Sequence, residues 1–238
     1  MASSTKESYP QLLSLAVHEF RTPASVVGGY LRMLQRDAAG ELNDRQRKMI
    51  DEAEKSCARI VALIAELSDV SKLDSGLITL ARQPVNIFAL VSEVAEHVQE
   101  ARDRDVRFEV RGDSDGAGIE GDVTRLRNAF DAIFRAVLRE KSGPCTVVAD
   151  RRRETHEGHA NAVVIVSEAD TVQTAYDRDR GAFDEKRGGL GLALPLARRV
   201  IEGHGGRIFA PAPLGAAADD AVSRGSAIIT LPLTESID

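Results

Sequence analysis

The sequence predicts an α+β protein: an antiparallel helical hairpin that forms a dimeric four-helix bundle, followed by an α/β sandwich. Two observations predict it. Apolar residues recur every three or four positions in the first third of the 238-residue chain, and short strands adjoin amphipathic helices in the rest. The pattern changes after Gly76, which predicts one domain over residues 1–75 and a second over 76–238. A hydrophobic fraction of 43% is sufficient for a core in each domain.

The first predicted domain consists of two long helices, from about Leu12 to Leu34 and from about Asn43 to Asp74, joined by a polar turn. Their apolar seam residues are Leu13, Val17, Phe20, Ala24, Val27, Leu31 and Leu34, then Met49, Ala53, Ile60, Leu63, Leu67 and Val70, with Ile50, Cys57 and Ile64 widening the stripe. A single hairpin cannot bury faces this broad. We therefore expect a homodimer that forms through the hairpin.

The second predicted domain alternates helices and strands. Helices are expected near residues 87–98 and 126–137 and after Gly191, and strands near residues 106–110, 146–149, 162–166, 207–210 and 226–231. The arginines at 151–153 are expected in a solvated turn. The segment from Pro211 to Arg224 is expected to be a surface loop.

Composition limits the function classes. A net charge of −6 argues against nucleic-acid binding. No apolar run approaches the roughly 18 to 20 residues of a membrane span, and no signal peptide opens the chain, so we expect a cytoplasmic chain without membrane contact. Cys57 and Cys145 form no metal-type spacing, and His156 and His159 lack a third firm ligand. The sequence therefore predicts no metal-binding residues.

His18 is the candidate nucleophile. It lies one position past the seam residue Val17, where a phosphoryl donor has access to the ring. The carboxylate of Glu19 is suited to accept a ring proton and fix the tautomer. Thr22, four residues on, shares the helical face of His18 and is suited to position a water. Pro23 removes the hydrogen bond to the Glu19 carbonyl and kinks the helix at this turn.

The string from His18 to Pro23 reads H-E-F-R-T-P, and the stretch from Leu67 to Gly76 reads LSDVSKLDSG. Both resemble the dimerisation and phosphotransfer (HisKA) domain of two-component sensor histidine kinases. In that family the histidine takes phosphate from ATP and passes it to an aspartate of a response-regulator receiver domain. The resemblance implies that His18 is the phosphoryl carrier, that Glu19 serves autophosphorylation and that Thr22 serves dephosphorylation of the receiver.

The second half resembles the Bergerat-type ATP-binding (HATPase) domain of the same kinases. The run from Gly188 to Leu192, followed by a helix and by the glycines at 203–206, is similar to its phosphate-binding loop, in which backbone N–H groups approach phosphate. The resemblance implies ATP and Mg²⁺ as cofactors. It also implies these nucleotide-binding residues: Arg139, Glu168, Gly189, Gly191 and Leu192, with Glu168 at the place of the aspartate that reads adenine.

Other nucleotide motifs of that family are altered here. The asparagine that should hold Mg²⁺ falls at Ala136 and an earlier one at Ala132, and a methyl group cannot ligate a hard cation. Asp170 and Val172 replace both glycines of the D-x-G-x-G motif. Because metal positioning dominates phosphoryl transfer, weak or absent autokinase activity is predicted. ATP binding without turnover, and replacement of the lost ligand by Asp131, remain open.

Three functions therefore remain open. The first is a kinase that autophosphorylates His18. The second is a phosphotransfer or phosphatase module that does not use ATP. The third is an interaction scaffold without chemistry. The intact H-E-F-R-T-P string favours the first two, and the altered nucleotide motifs favour the second over the first.

Overall fold

The computed structural model describes residues 4–36, 42–99, 101–156, 158–189, 191–214 and 220–234. The chain divides into two compact units, Met1–Ile78 and Thr79–Asp238. Within the described ranges, no helix combines the length and the apolar composition that a membrane crossing requires.

The first unit is an antiparallel pair of helices, α1 (Ser4–Arg36) and α2 (Asp44–Asp74). Most of the turn between them, residues 37–41, lies outside the described residues. A capping box starts α2: the Asn43 side chain accepts a hydrogen bond from the Gln46 backbone N–H, and the Gln46 side chain accepts one from the Asn43 N–H. Gly76 follows the last turn with φ +65°, a conformation that favours glycine. The predicted hairpin is confirmed.

Only part of the predicted seam lies inside the hairpin. The buried apolar side chains here are Val17, Cys57, Ile64 and Val70, so the residues that widen the stripe make much of the contact between helices. Other seam residues remain 46% to 63% exposed in the single chain: Phe20, Val27, Leu34, Met49 and Ile60. The side chain of Leu13 lies outside the described residues. One helical pair thus leaves a second apolar surface uncovered.

The second unit contains a six-stranded mixed sheet in the order β2-β4-β5-β8-β7-β6 and a small β1-β3 ladder. Its strands are β1 (Gln83–Asn86), β2 (Val106–Gly112), β3 (Gly118–Gly121), β4 (Cys145–His156), β5 (His159–Glu168), β6 (Arg180–Ala182), β7 (Arg207–Pro211) and β8 (Ala227–Pro232). Its α-helices are α3 (Ile87–His97), α4 (Val123–Arg139), α5 (Val172–Asp177), α6 (Ala193–Gly203) and α7 (Ala221–Arg224). The strand β2 pairs parallel with β4, and the other ladders are antiparallel.

The core of this unit lies between the sheet and the helices α3, α4 and α6. Phe88, Phe130, Phe134 and Leu194 are fully buried there. Side chains alternate between faces along a strand, so Val163 and Ile165 of β5 point to the opposite face. There they pack with Ala175 of α5. The predicted α/β sandwich is confirmed, and the short helices α5 and α7 pack against the cluster on its second face.

The arginines 151–153 lie in the long strand β4, so the expected surface turn was wrong. Arg151 is buried, and its guanidinium donates to the Phe88 carbonyl (3.0 Å) and to Ser92 Oγ (2.6 Å). Burial lowers the pKa of Arg151, a shift that nearby Asp113 and Asp150 oppose. A five-donor fork can satisfy several buried acceptors at once, which explains how a charged residue occupies a core-facing strand position.

The expected loop from Pro211 to Arg224 was also partly wrong. Pro211 ends β7, and Ala221–Arg224 form the helical turn α7. Asp220 caps that turn by accepting from the Val222 and Ser223 backbone N–H groups. Residues 215–219 lie outside the described residues.

Candidate functional site

His18 lies on the surface of α1. Its side chain is 78% exposed, while the preceding residue Val17 is buried against the hairpin. Glu19 is equally open to solvent, and its Oε1 lies 3.8 Å from His18 Nδ1. Thr22 is exposed one turn further on. The hairpin thus presents an accessible imidazole, a neighbouring carboxylate and a hydroxyl on adjacent turns.

An apolar groove of about 300 Å³ runs between α1 and α2 beside these residues. Ser25, which lines it, is seven residues from His18 and so lies almost in line with it along the helix. Cys57 forms the floor, and its thiol donates to the Ala24 carbonyl at 3.0 Å. Gly28 keeps the helices close, because a Cβ there would lie 3.3 Å from Cys57 Sγ.

The glycine-rich loop of the second unit packs directly on α4. Gly188, Gly189 and Gly191 all have φ between +59° and +68°. A Cβ on Gly188 would lie 3.1 Å from Ala136 Cα, so loop and helix are in contact with no space between them. Leu192 precedes the first turn of α6, and Leu190 lies outside the described residues.

The residues expected to contact phosphate contact each other. Arg139 Nη1 donates to the Gly188 carbonyl at 3.0 Å. The Gly188 N–H donates to Glu140 Oε1 at 3.3 Å. The basic side chain and the loop are thus brought together and bond to each other.

The positions that would hold Mg²⁺ are closed. Ala136 is fully buried and Ala132 is 7% exposed. Asp131, the alternative oxygen ligand, faces Arg135, whose Nε lies 3.1 Å from Asp131 Oδ2. In the part of the chain that the structure describes, no three His, Cys, Asp or Glu side chains are grouped as metal ligands.

Glu168 is engaged by a residue that the sequence reasoning missed. Lys141 is 7% exposed, and its ammonium donates to Glu168 Oε1 and to the Gly225 carbonyl, each at 3.0 Å. The pair borders a cavity of about 420 Å³ that Cys145 also lines. Burial, followed by the Glu168 charge, raises the pKa of the Cys145 thiol. Lys141 follows the end of α4, where a lysine is ordinarily solvated, so no pattern marked it.

Arg187 is a buried charged residue in the segment between β6 and α6. Its Nη1 donates to the carbonyls of Arg224 and Ser226, each at 2.8 Å, and its guanidinium lies 4.3 Å from the Phe183 ring centre. Burial is the main cause that lowers the Arg187 pKa, and Asp184 and Glu140 oppose the shift. Buried guanidinium groups of this kind are held only by complete hydrogen bonding.

The residues that replace the two glycines of the adenine motif have ordinary backbone conformations. Among the described residues, only Ala101 and Asp105 combine a side chain with positive φ, so Asp170 and Val172 do not. Residues 172–177 instead form α5. Ala136 offers no oxygen to Mg²⁺ and Glu168 is paired with Lys141, so the donor groups at these positions differ from those that the resemblance implies for ATP and Mg²⁺.

Comparison with known proteins identifies the hairpin. Residues 11–76 match the His Kinase A (phospho-acceptor) domain family. The chain is similar to curated sensor proteins and sensor histidine kinases. The sensor protein GacS of Pseudomonas syringae pv. syringae is 26% identical over 211 residues, which are 83% of this chain and 23% of GacS. This chain spans 22% to 24% of the length of the first curated relatives that it matches.

Solved histidine kinases share the fold. The full-length ShkA structure, in complex with AMPPNP, gives a TM-score of 0.67 at 22% identity, covering 94% of this chain and 45% of that one. Histidine kinase ThkA, in complex with response regulator protein TrrA, gives 0.55 at 18% identity, covering 94% and 61%. The predicted α+β architecture, a helical hairpin followed by an ATPase-like unit, is confirmed by these likenesses.

Proposed function

We propose that this chain is a two-component phosphotransferase, in which His18 exchanges a phosphoryl group with an aspartate of a response-regulator receiver and ATP is not the donor. One observation carries the choice. The His18 turn is open and complete, whereas Gly188 lies against Ala136 where nucleotide and metal would be held.

The reaction needs only groups that the hairpin and the receiver supply. The neutral imidazole attacks the aspartyl phosphate with a ring-nitrogen lone pair, the P–N bond forms, and the receiver carboxylate leaves with the electrons of the broken P–O bond. Positive charge develops on the ring. The Glu19 carboxylate, 3.8 Å from Nδ1, stabilises that charge and the Nδ1 proton. The reverse step returns the phosphoryl group.

The surface beside His18 fits a receiver. The apolar groove between α1 and α2 begins about two turns away along the same face, so a partner seated there would lie next to His18. ThkA was solved with a response regulator, which makes this partner class the natural expectation. We also propose the homodimer, because Phe20, Val27 and Leu34 leave an apolar strip on α1 that a second hairpin would cover.

Dephosphorylation of the receiver is a second candidate, favoured by Thr22. Its side chain is exposed on the His18 face one turn away, where it can orient a water toward an aspartyl phosphate. In that reaction water attacks phosphorus and the receiver carboxylate leaves. Thr22→Ala is expected to slow phosphate release from the receiver while leaving transfer to His18 intact.

Transfer from a receiver tests the proposal. Receivers from the same organism are phosphorylated with labelled acetyl phosphate, freed of donor and mixed with the full chain. We expect acid-labile label on the chain, absent in His18→Gln and retained in the control His97→Gln, since His97 is a solvated helix residue of the second unit. A labelled His18→Gln chain, or no label with any receiver, would rule the proposal out.

A further inference from the structure

The segment between β6 and α6 of the second unit is held in place by its own side chains. The segment consists of residues 183–189, here called the latch, between β6 and the loop before α6. In a nucleotide-binding domain such a segment must move to admit its ligand. A mobile segment makes few buried contacts, whereas residues 183–189 make several.

Arg187 is the centre of the latch. It is 7% exposed, although its neighbours Lys186 and Gly189 are exposed. Its guanidinium bonds the Asp184 carbonyl within the latch (3.2 Å) and the Arg224 and Ser226 carbonyls outside it (2.8 Å each). The Phe183 ring covers it at 4.3 Å. A desolvated cation with this many acceptors is costly to withdraw.

The residue that follows Arg187 is fixed to the C-terminal end of α4. Gly188 is bonded through both of its backbone groups, its carbonyl to Arg139 and its N–H to Glu140. Its Cα sits so close to Ala136 that a side chain would not fit. Two adjacent latch residues are thus tied to different elements, Arg187 to the last residue of α7 and the residue before β8, and Gly188 to the C-terminal end of α4.

We propose that residues 183–189 are a permanently closed latch, with the Arg187 guanidinium occupying the interior in place of a ligand. The segment then forms a constant part of the domain surface instead of opening and closing. This inference concerns the second unit and goes beyond the proposed phosphotransfer by His18, on which it does not depend.

Digestion with endoproteinase Lys-C gives a sharp test, because the second unit contains only two lysines. Lys141 is buried, whereas Lys186 is exposed within the latch itself. Cleavage at Lys186 requires several residues around it to unfold locally, so its rate reports latch opening. The fragment 187–238 is quantified by mass spectrometry in the full-length protein.

In the native protein we expect cleavage at Lys186 to be at least about 100-fold slower than in the same chain unfolded in urea. Arg187→Gln should raise the native rate by about tenfold or more. The variant's native rate is divided by its own rate in urea, because the substitution changes the residue next to the cleaved bond. Arg135→Gln, an exposed arginine change on α4, should have no effect. Native wild-type cleavage close to the unfolded rate would overturn the latch.

A second arm keeps the inference testable if Arg187→Gln does not fold. The wild-type rate is measured with and without millimolar Mg-ATP, and no change is expected. Rapid cleavage that Mg-ATP leaves unchanged would overturn the latch alone and leave the phosphotransfer proposal standing. Protection of Lys186 by Mg-ATP would overturn the latch and also the claim that ATP is not the donor.

Discussion

Replacing Ala136 with asparagine restores the residue type that a nucleotide-binding relative would use for Mg²⁺, yet we expect it to damage this protein. Ala136 is fully buried, and a Cβ added to Gly188 would lie 3.1 Å from the Cα of Ala136. A carboxamide at that site must displace the loop or remain buried without partners. Overpacking costs about 1 to 3 kcal/mol, and an unsatisfied buried polar group costs about the same.

Displacement of the loop would relieve part of these two costs. We therefore expect the free energy of unfolding to fall by about 3 kcal/mol. For a unit of this size, 1 kcal/mol shifts Tm by roughly 2 to 4 °C. The transition of the second unit should therefore fall by about 6 to 12 °C in scanning calorimetry. Ala89→Asn on the exposed side of α3 is the matched control and should lower Tm by about 1 to 2 °C, since it costs only helix propensity.

The same samples are then heated with millimolar Mg-ATP. We expect no Tm rise in either variant, because Glu168 stays paired to Lys141 and Arg187 still fills the interior. An Ala136→Asn protein as stable as its parent, or one that gains several degrees with Mg-ATP, would refute the closed-site reasoning.

Three further outcomes are expected. Arg151→Leu should lower the free energy of unfolding, measured in urea, by about 2 to 4 kcal/mol, because it leaves buried acceptors unpaired. The control Arg153→Leu changes an exposed side chain and should cost little. Equal effects of the two substitutions would contradict the burial of Arg151. Burial lowers the pKa of His204 below its ordinary 6.5, so the unfolded chain binds more protons there and stability should fall as pH drops below 6.5. His204→Gln should flatten that slope between pH 8 and 5, and an unchanged slope would exclude His204 as its source. Val27→Glu should shift the protein toward monomer in sedimentation experiments. The control Ser25→Glu, on the other side of α1, should not. A dimer in both variants would place the interface elsewhere.

The helices and most strands were predictable because their signals are local. Heptad spacing, the Asn43 cap and Gly76 predict three of the four helix ends of the hairpin to within about two residues, whereas α1 begins at Ser4, well before the predicted Leu12. The exposure of His18 follows from its offset of one position from the seam. The short apolar run at 162–166 likewise predicted a strand, and residues 163–166 of β5 are buried.

The burial of charged side chains was not predictable in the same way. Arg151, Lys141 and Arg187 each appear in sequence as surface residues, and each is buried because acceptors distant in the chain converge on it. The Gly225 carbonyl that binds Lys141 is 84 residues away. Which of the seam residues face α2 and which face solvent also depends on helix rotation, which spacing alone leaves undetermined.

The sequence departures at Ala136 and Glu168 predict an altered nucleotide site, but not the contacts that the structure places around these residues. Loss of ligands alone is compatible with an empty pocket. The structure shows instead that Gly188 packs on Ala136 and that Arg187 is bonded inside the domain. These contacts depend on positive-φ glycines and buried hydrogen bonds, which become visible only when the loop and α4 are placed together.

The phosphoryl donor to His18 is the most direct test of the account. The purified full chain is incubated in parallel with γ-labelled Mg-ATP and with a labelled phospho-receiver, each beside His18→Gln. The account predicts acid-labile label on His18 from the receiver and none from Mg-ATP. Label from Mg-ATP that disappears in His18→Gln would contradict it, because the closed site would then be a working kinase site.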